Sequence, residues 1–333
     1  SELEMEIPGV NLSPFIEMQV ARRFTSSNSE TQLQEMVGGK FFQIFLLALF
    51  VASFPFGSQA QEKKTIEWLI WNLPPEFVQS GPWKDQGYAD KFLKFFKDNL
   101  PEYEHSTIVV NVPRWSREAF RDNRCTAHLW GGFFTDRLLY SKPYSFTPPQ
   151  VAVFHKRHQE RIGPEGTVVS IEELLKQSDL TLMILRLNFN DEAGQSRYPV
   201  LHPYLEPYVG KPNLVELAGL ENVVDLRLLS RERADFTVGY PSTITTQRRL
   251  KNLGDDFIAY HFKEHNLYKN VHVACNKNTH GREVIKKINA LITKDALMEF
   301  LSYHEEWNNH DAEFRQTTID YFINGKDLKN VLK

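Results

Sequence analysis

The chain has 333 residues and a formal net charge of −3 at pH 7, with 39 Lys plus Arg against 42 Asp plus Glu. That near balance excludes an electrostatic case for nucleic-acid binding. Aromatics at 13% and charged residues at 24% suit a globular chain with a real core and exclude a disordered one, and the length allows two domains.

In chain order, residues 41–54, FFQIFLLALFVASF, are the one long apolar run. The run is too short for a membrane span. Lys40 precedes it, Pro55 and Gly57 break it, and Ser58-Gln59-Ala60 offers small residues where a signal peptidase cuts. Residues 36–60 therefore read as a secretory signal peptide, cleaved after Ala60, which implies a periplasmic protein. An uncleaved anchor is the alternative. Met36 opens a natural basic n-region, so residues 1–35 read as an over-extended start or a leader. Export would place Cys125 and Cys275 in an oxidising compartment. With two Cys only one pairing exists, and no Cys-x-x-Cys spacing occurs. The eleven His show no HExxH-like spacing, so neither a metal site nor a cofactor is expected.

Beyond Ala60, strand and helix patterns alternate. Residues 65–71, TIEWLIW, predict a strand, and 72–77 a rigid turn around Pro74-Pro75. Gly87-Tyr88-Ala89-Asp90 opens a helix over 90–99 with Phe92, Leu93, Phe95 and Phe96 inward. A β-branched strand at 107–112, a short helix at 116–121 and a strand at 125–130 follow. This β-α-β-α-β order predicts a parallel sheet with helices on its faces. After Pro148-Pro149 a second such unit begins. Its strands are expected at 151–154, 181–187, 214–218, 235–239 and 257–262, with helices at 170–176 and 222–233. Ser170 and Glu173 have capping-box spacing. The stretch 155–166 reads as a polar loop and 190–213 as irregular. A strand at 271–275 and a helix at 281–292 end the pattern.

The segment 125–144, CTAHLWGGFFTDRLLYSKPY, has the layout of an anion grip. A strand runs into Gly131-Gly132, whose backbone can approach a ligand, and Thr135 and Arg137 follow as donors. The same pattern also suits an ordinary surface loop with an exposed Arg. In open α/β sheets, ligands bind at C-terminal strand ends, which here are 72–77 and 131–137.

This segment resembles the signature of the family 3 extracellular solute-binding proteins, through Thr135, Arg137, Tyr140, Ser141, Pro143 and Tyr144. Pro75 with Phe77, and Gly87 through Asp90, match two further segments, and HVACNKNTHGREVIKKINALI matches the block that re-enters the first domain. The resemblance covers residues 61–323 in the right order. It implies the type 2 periplasmic binding protein fold: two Rossmann-like lobes with a hinged cleft and two crossovers. Lobe 1 would be residues 61–150 plus 268–333, and lobe 2 residues 151–267. The implied ligand-binding set is Phe77, Trp130, Gly131, Thr135, Arg137 and Tyr144 from lobe 1, with Arg186, Ser196, Arg197 and Tyr240 from lobe 2. The re-entrant strand would lie antiparallel beside the third strand, implying a Cys125–Cys275 disulfide. The implied function is capture of a small carboxylate-bearing solute for transport or sensing. The protein would act as a monomer with a permease or sensor receptor as partner. Tyr240 stands where amino-acid binders of the family place an acid for the ligand ammonium. The alternative is an enzyme on the same fold; Glu76, the one acid beside the lobe 1 motifs, is expected to be solvated.

Overall fold

The computed structural model describes residues 63–188, 196–218, 223–308 and 311–328. The leader and signal peptide read in residues 1–60 lie outside these. The first sheet takes β1 (Thr65–Ile70), β2 (Glu104–Val109), β3 (Arg124–Trp130), β4 (Leu138–Tyr140) and β5 (Ser145–Thr147). The chain then builds a second sheet from β6 (Val151–His155), β7 (Val168–Val169), β8 (Leu182–Leu185), β9 (Leu214–Leu217), β10 (Phe236–Gly239) and β11 (Phe257–Phe262). It returns to the first sheet as β12 (Lys269–Asn276). The strand orders are β2-β1-β3-β12-β4, with β5 also on β12, and β7-β11-β6-β10-β8-β9. In the first sheet β1 runs parallel to both β2 and β3, as the alternating strand and helix pattern predicts. The two sheets are joined by two crossings of the chain.

The longer helices are α1 (Tyr88–Asp98), α2 (Val112–Glu118), α3 (Ile171–Lys176), α4 (Thr243–Lys251), α5 (Thr279–Leu291), α6 (Lys294–Glu305) and α7 (Ala312–Thr318). Side chains of β1 alternate across the sheet. Ile66, Trp68 and Ile70 enter one core with Phe92 and Phe96 of α1, while Leu69 enters another with Trp115 of α2. Phe92 and Phe96 stand four residues apart on one face of α1 and meet Phe300 of α6 at 4.9 and 5.8 Å between ring centroids. The second sheet is likewise covered on both faces, with Phe154 and Phe236 to one side and Val153 and Met183 to the other.

Several elements differ from the sequence reading. The second strand lies at Glu104–Val109, three residues before its expected place. It is an edge strand held by β1 alone, with Thr65 opposite Glu104, so no two-sided burial fixes its pattern. The residues after it start α2 instead, because Asn111 accepts the Arg114 N–H at 2.9 Å and Pro113 sits in the first turn. The helix expected at 222–233 is only a turn, Arg227–Ser230, among the described residues. Glu232 has φ 55°, a left-handed conformation that ends any helix there. Helix α4 follows Pro241, where the sequence reading has no helix. Ser170 does cap α3, accepting the Glu173 N–H.

Strand β12 pairs antiparallel with β3, with Cys275 opposite Cys125. The two form a disulfide with Cα atoms 4.0 Å apart. The bridge expected from the resemblance is present.

Candidate functional site

Loop 71–87 joins β1 to α1, and it is folded back on itself. Leu73 and Phe77 form a bridge, with the Leu73 N–H donating to Phe77 O at 3.0 Å. The first N–H groups of α1 have no partner within the helix, so they need outside acceptors. The loop supplies them: Tyr88 donates to Pro75 O, and Ala89 and Asp90 to Glu76 O. Asp90 returns the favour, its carboxylate accepting the N–H groups of Val78 and Gly87 at 2.8 and 3.0 Å. The chain passes so close at Gly87 that a Cβ there would lie 2.1 Å from Glu76 O. These contacts fix Glu76 at the mouth of α1.

Facing Glu76 is the end of β10, where Tyr240 leads through Ser242 into α4. The Thr243 hydroxyl accepts the Tyr240 N–H at 2.8 Å and holds this corner. A cavity of about 20 Å³ lies between the two segments, room for about one water. Pro74, Pro75, Glu76, Tyr88 and Thr147 line it from segments flanking the first sheet. Val223, Tyr240, Ser242, Thr243 and Thr246 line it from segments flanking the second. The lining is thus one carboxyl, two phenols and several hydroxyls, with no cationic side chain among the described residues. The Thr246 Oγ1 is buried there without a hydrogen-bond partner.

Glu76 is the odd group in this setting. Burial pushes its carboxyl up to about 8, partly offset by a hydrogen bond from the Tyr88 hydroxyl. It is therefore not the solvated acid expected from sequence: the folded-back loop and the Tyr240 corner leave Glu76 half-buried. Burial, with the Glu76 charge, also drives the hydroxyls of Tyr88, Tyr144 and Tyr240 upward, so all three stay neutral. Behind Tyr88, the His304 ring stacks at 4.1 Å, and His128 meets Tyr88 edge-on at 5.7 Å. Burial lowers both histidines to about 3. The Tyr144 hydroxyl donates to Ala127 O at 2.5 Å, so His128 Nδ1, 3.2 Å from that hydroxyl, is the donor between them.

Of the residues singled out from sequence, Tyr240 lines the cavity. Tyr144 lies within reach of the Glu76 charge but is fully packed, at 1% exposure. Arg197 is near enough to Tyr240 to favour its ionised form, and its carbonyl accepts from Gln150 Nε2. The others are engaged elsewhere. Phe77 is a core residue at 1% exposure, edge-on to His128. Trp130 Nε1 donates to Thr147 Oγ1 at 2.7 Å, and Lys269 lies over its ring. Gly131 backs onto the His272 ring. Thr135 and Arg137 are exposed; Arg137 lays its guanidinium 3.2 Å from the centroid of the Phe120 ring, and Lys277 Nζ donates to Thr135 O. Arg186 is exposed with its N–H on Leu217 O. Ser196 donates to Leu187 O and meets His202 Nδ1 at 2.8 Å. The anion grip read in 131–137 therefore does not line this cavity, because stacking on Phe120 holds its guanidinium.

Glu76 was expected as a solvated acid, and Tyr88, Ser242, Thr243 and Thr246 were not foreseen as lining residues. The signals for them were thin: an acid within Pro-Pro-Glu-Phe, and the hydroxyl run Ser-Thr-Ile-Thr-Thr after Tyr-Pro.

No family model and no curated protein matches the chain. Solved structures do. The chain is similar to the probable amino-acid ABC transporter extracellular-binding protein ytmK from Bacillus subtilis, at 17% identity and a TM-score of 0.52, over 74% of this chain and 99% of that one. It is also similar to a provisionally named L-cystine ABC transporter from Listeria monocytogenes, at 15% identity and a TM-score of 0.51, over 74% of this chain and 97% of that one. At these identities the likeness is one of fold. The chain has the type 2 periplasmic binding protein fold.

Proposed function

We propose that a chain of this fold works as an extracytoplasmic solute-binding protein. It captures a small carboxylate-bearing solute in the cleft between lobe 1, residues 61–150 plus 268–333, and lobe 2, residues 151–267. As a monomer in the periplasm, it hands the solute to a membrane permease or a sensor receptor. The observation that carries this reading is the cavity, lined from segments flanking both sheets, which a hinge motion would open and close. Support for a carboxylate comes from the start of α4. Ser242, Thr243 and Thr246 present hydroxyls there, at the end of a nine-residue helix where negative charge is favoured. Arg197, beside Tyr240, is a cation within reach once the cleft opens. The site residues proposed are Glu76, Tyr88, Arg197, Tyr240, Ser242, Thr243 and Thr246.

A second reading has one observation in its favour. A carboxyl held near 8 has the pKa of a general acid at neutral pH, so an enzyme acting on a small carboxylate is the alternative. One screen separates the two. Thermal shift of the full chain against amino acids, small carboxylates and amines is expected to give a hit that raises the melting temperature. Recovery of that hit unchanged supports binding; its conversion to product supports the enzyme. A screen with no hit at pH 6 or pH 8 counts against both.

A further inference from the structure

The two crossings between the sheets share one root. The first, 148–150, leaves from β5, and the second, 263–268, leads into β12. Right up to the crossings these two strands stay paired, with Thr147 opposite Lys269 and Phe146 opposite Asn270. Successive side chains of a strand point to opposite faces, so this short ribbon can be gripped from both sides. On one face Trp130, at the end of β3, touches both strands. Its Nε1–H donates to Thr147 Oγ1 at 2.7 Å, and Lys269 Nζ lies 4.3 Å from its ring centroid. On the other face stand Phe146 and Tyr268, 0% and 4% exposed. What covers them comes from residues 312–323. Phe314 of α7 tilts against Tyr268 at 6.3 Å between ring centroids, and Tyr321 and Phe322 lie on Phe146 at 5.2 and 4.6 Å.

The covering segment is wound in an uncommon way. After α7, Ile319–Ile323 forms a π-helix, in which the Asn324 N–H reaches five residues back to Ile319 O at 3.0 Å. Such turns are rare and recur at functional sites. Here two adjacent rings of the turn, Tyr321 and Phe322, meet one partner, Phe146. Both are only half-buried, and residues 324–327 beyond them are exposed. The grip on the ribbon is therefore unequal. Trp130 belongs to the sheet and is held by strand pairing with Val271. The π-turn is paired to no strand and is held by side chains: its rings on Phe146, Arg315 on Glu305 and Lys326 on Asp320. We propose that Ile319–Ile323 is a releasable strap on the hinge root. Seated on Phe146, it stiffens both crossings in the closed arrangement seen here; lifted, it lets the lobes part. The inference rests on the hinged, two-lobed reading above and goes beyond it, because it gives control of opening to a segment that does not line the cavity.

Amide hydrogen exchange of the purified full chain, read peptide by peptide with no solute added, tests this. In Phe322→Ala, exchange should rise about tenfold in the hinge peptides 144–152 and 263–271 and in the cleft-facing peptide 239–247, because local opening there becomes easier. Peptides from β1 and α1, 65–70 and 88–98, should keep the wild-type rate. A rise confined to 312–328 overturns the proposal, because the segment then only covers Phe146. A rise shared equally by 65–70 and 88–98 also overturns it, because the variant has then lost stability everywhere rather than at the hinge. Where Phe322→Ala does not fold, Phe322→Leu, which keeps apolar bulk but removes the ring, is judged by the same pattern. None of these outcomes involves a solute, so failure of the strap leaves the solute-binding reading to its own screen.

Discussion

At the scale of single residues, the same buried groups that shape the site also set how the ligand-free chain responds to pH. Glu76 is raised from 4.5 to about 8, and Asp90 from 3.8 to about 6, each mainly by burial. The folded state keeps protons on these groups that the unfolded chain gives up. Their stabilisation is therefore complete at low pH and is lost as pH rises through the folded value. His128 and His304 act in the opposite sense. Lowered from 6.5 to about 3, they hold stability that is present above 6.5 and lost as pH falls toward 3. Between 4.5 and 6.5 the two pairs oppose each other; from 6.5 to 8 Glu76 alone of the four remains. Stability of the ligand-free chain should fall across that last window by roughly 2 kcal/mol at most, for a shift of 1.36 kcal/mol per pH unit. Urea unfolding at pH 6.5 and 8 checks this, and in Glu76→Gln the fall should vanish. A wild-type chain equally stable at both pH values would mean that water reaches the carboxyl. Sequence could not show this setting, because the cavity wall facing Glu76 includes Tyr240, 164 positions away along the chain.

At the scale of elements, legibility followed how a segment buries itself. Strands β6 and β11 were readable as largely apolar runs, and β3 as an alternation that turns apolar at its end; all three are mostly buried. Helix α4 was not, because its buried residues are Thr243, Thr246 and Gln247, which leave no apolar stripe to find. Those polar residues bury against the cavity and a partner loop: Gln247 accepts the Leu226 N–H and donates to Val224 O. The part of the site that α4 supplies was hidden for the same reason. The far end of α4 has a second task. Arg249 lies over the rings of Trp83 and Trp307, at 5.2 and 4.8 Å, and Leu250 packs on the core of the first sheet. Each such cation–ring contact stabilises by about 0.5–1 kcal/mol where exposed. Arg249→Ala should therefore loosen the hold of α4 on the first sheet by about 1–2 kcal/mol. Small-angle scattering of the ligand-free variant should give a larger radius than wild type, and stopped-flow release of a bound solute should speed up. Unchanged radius and release rate would show that Arg249 does not fasten the cleft.

At the scale of the whole molecule, the order of segments was the dependable signal. The first sheet is split in sequence, with β12 returning between β3 and β4 after the second sheet is complete. No local pattern specifies that return; the resemblance in segment order implied it, and the opposition of Cys275 to Cys125 bears it out. The bridge spans 150 positions. Closing so long a loop in the unfolded chain should add about 2–5 kcal/mol to stability, measurable as a lower urea midpoint after reduction or in the Cys125→Ala, Cys275→Ala double variant. No change in midpoint would mean that the bridge does not form in solution. The same bond makes residues 125–275 a covalent ring threaded through both crossings. A protease that cuts once inside that ring cannot part the protein. On a denaturing gel without reductant the nicked chain should run as one species of full mass, and with reductant as two fragments. Exposed to a protease, a protein of this build would survive a single cut between Cys125 and Cys275 with its ends still joined.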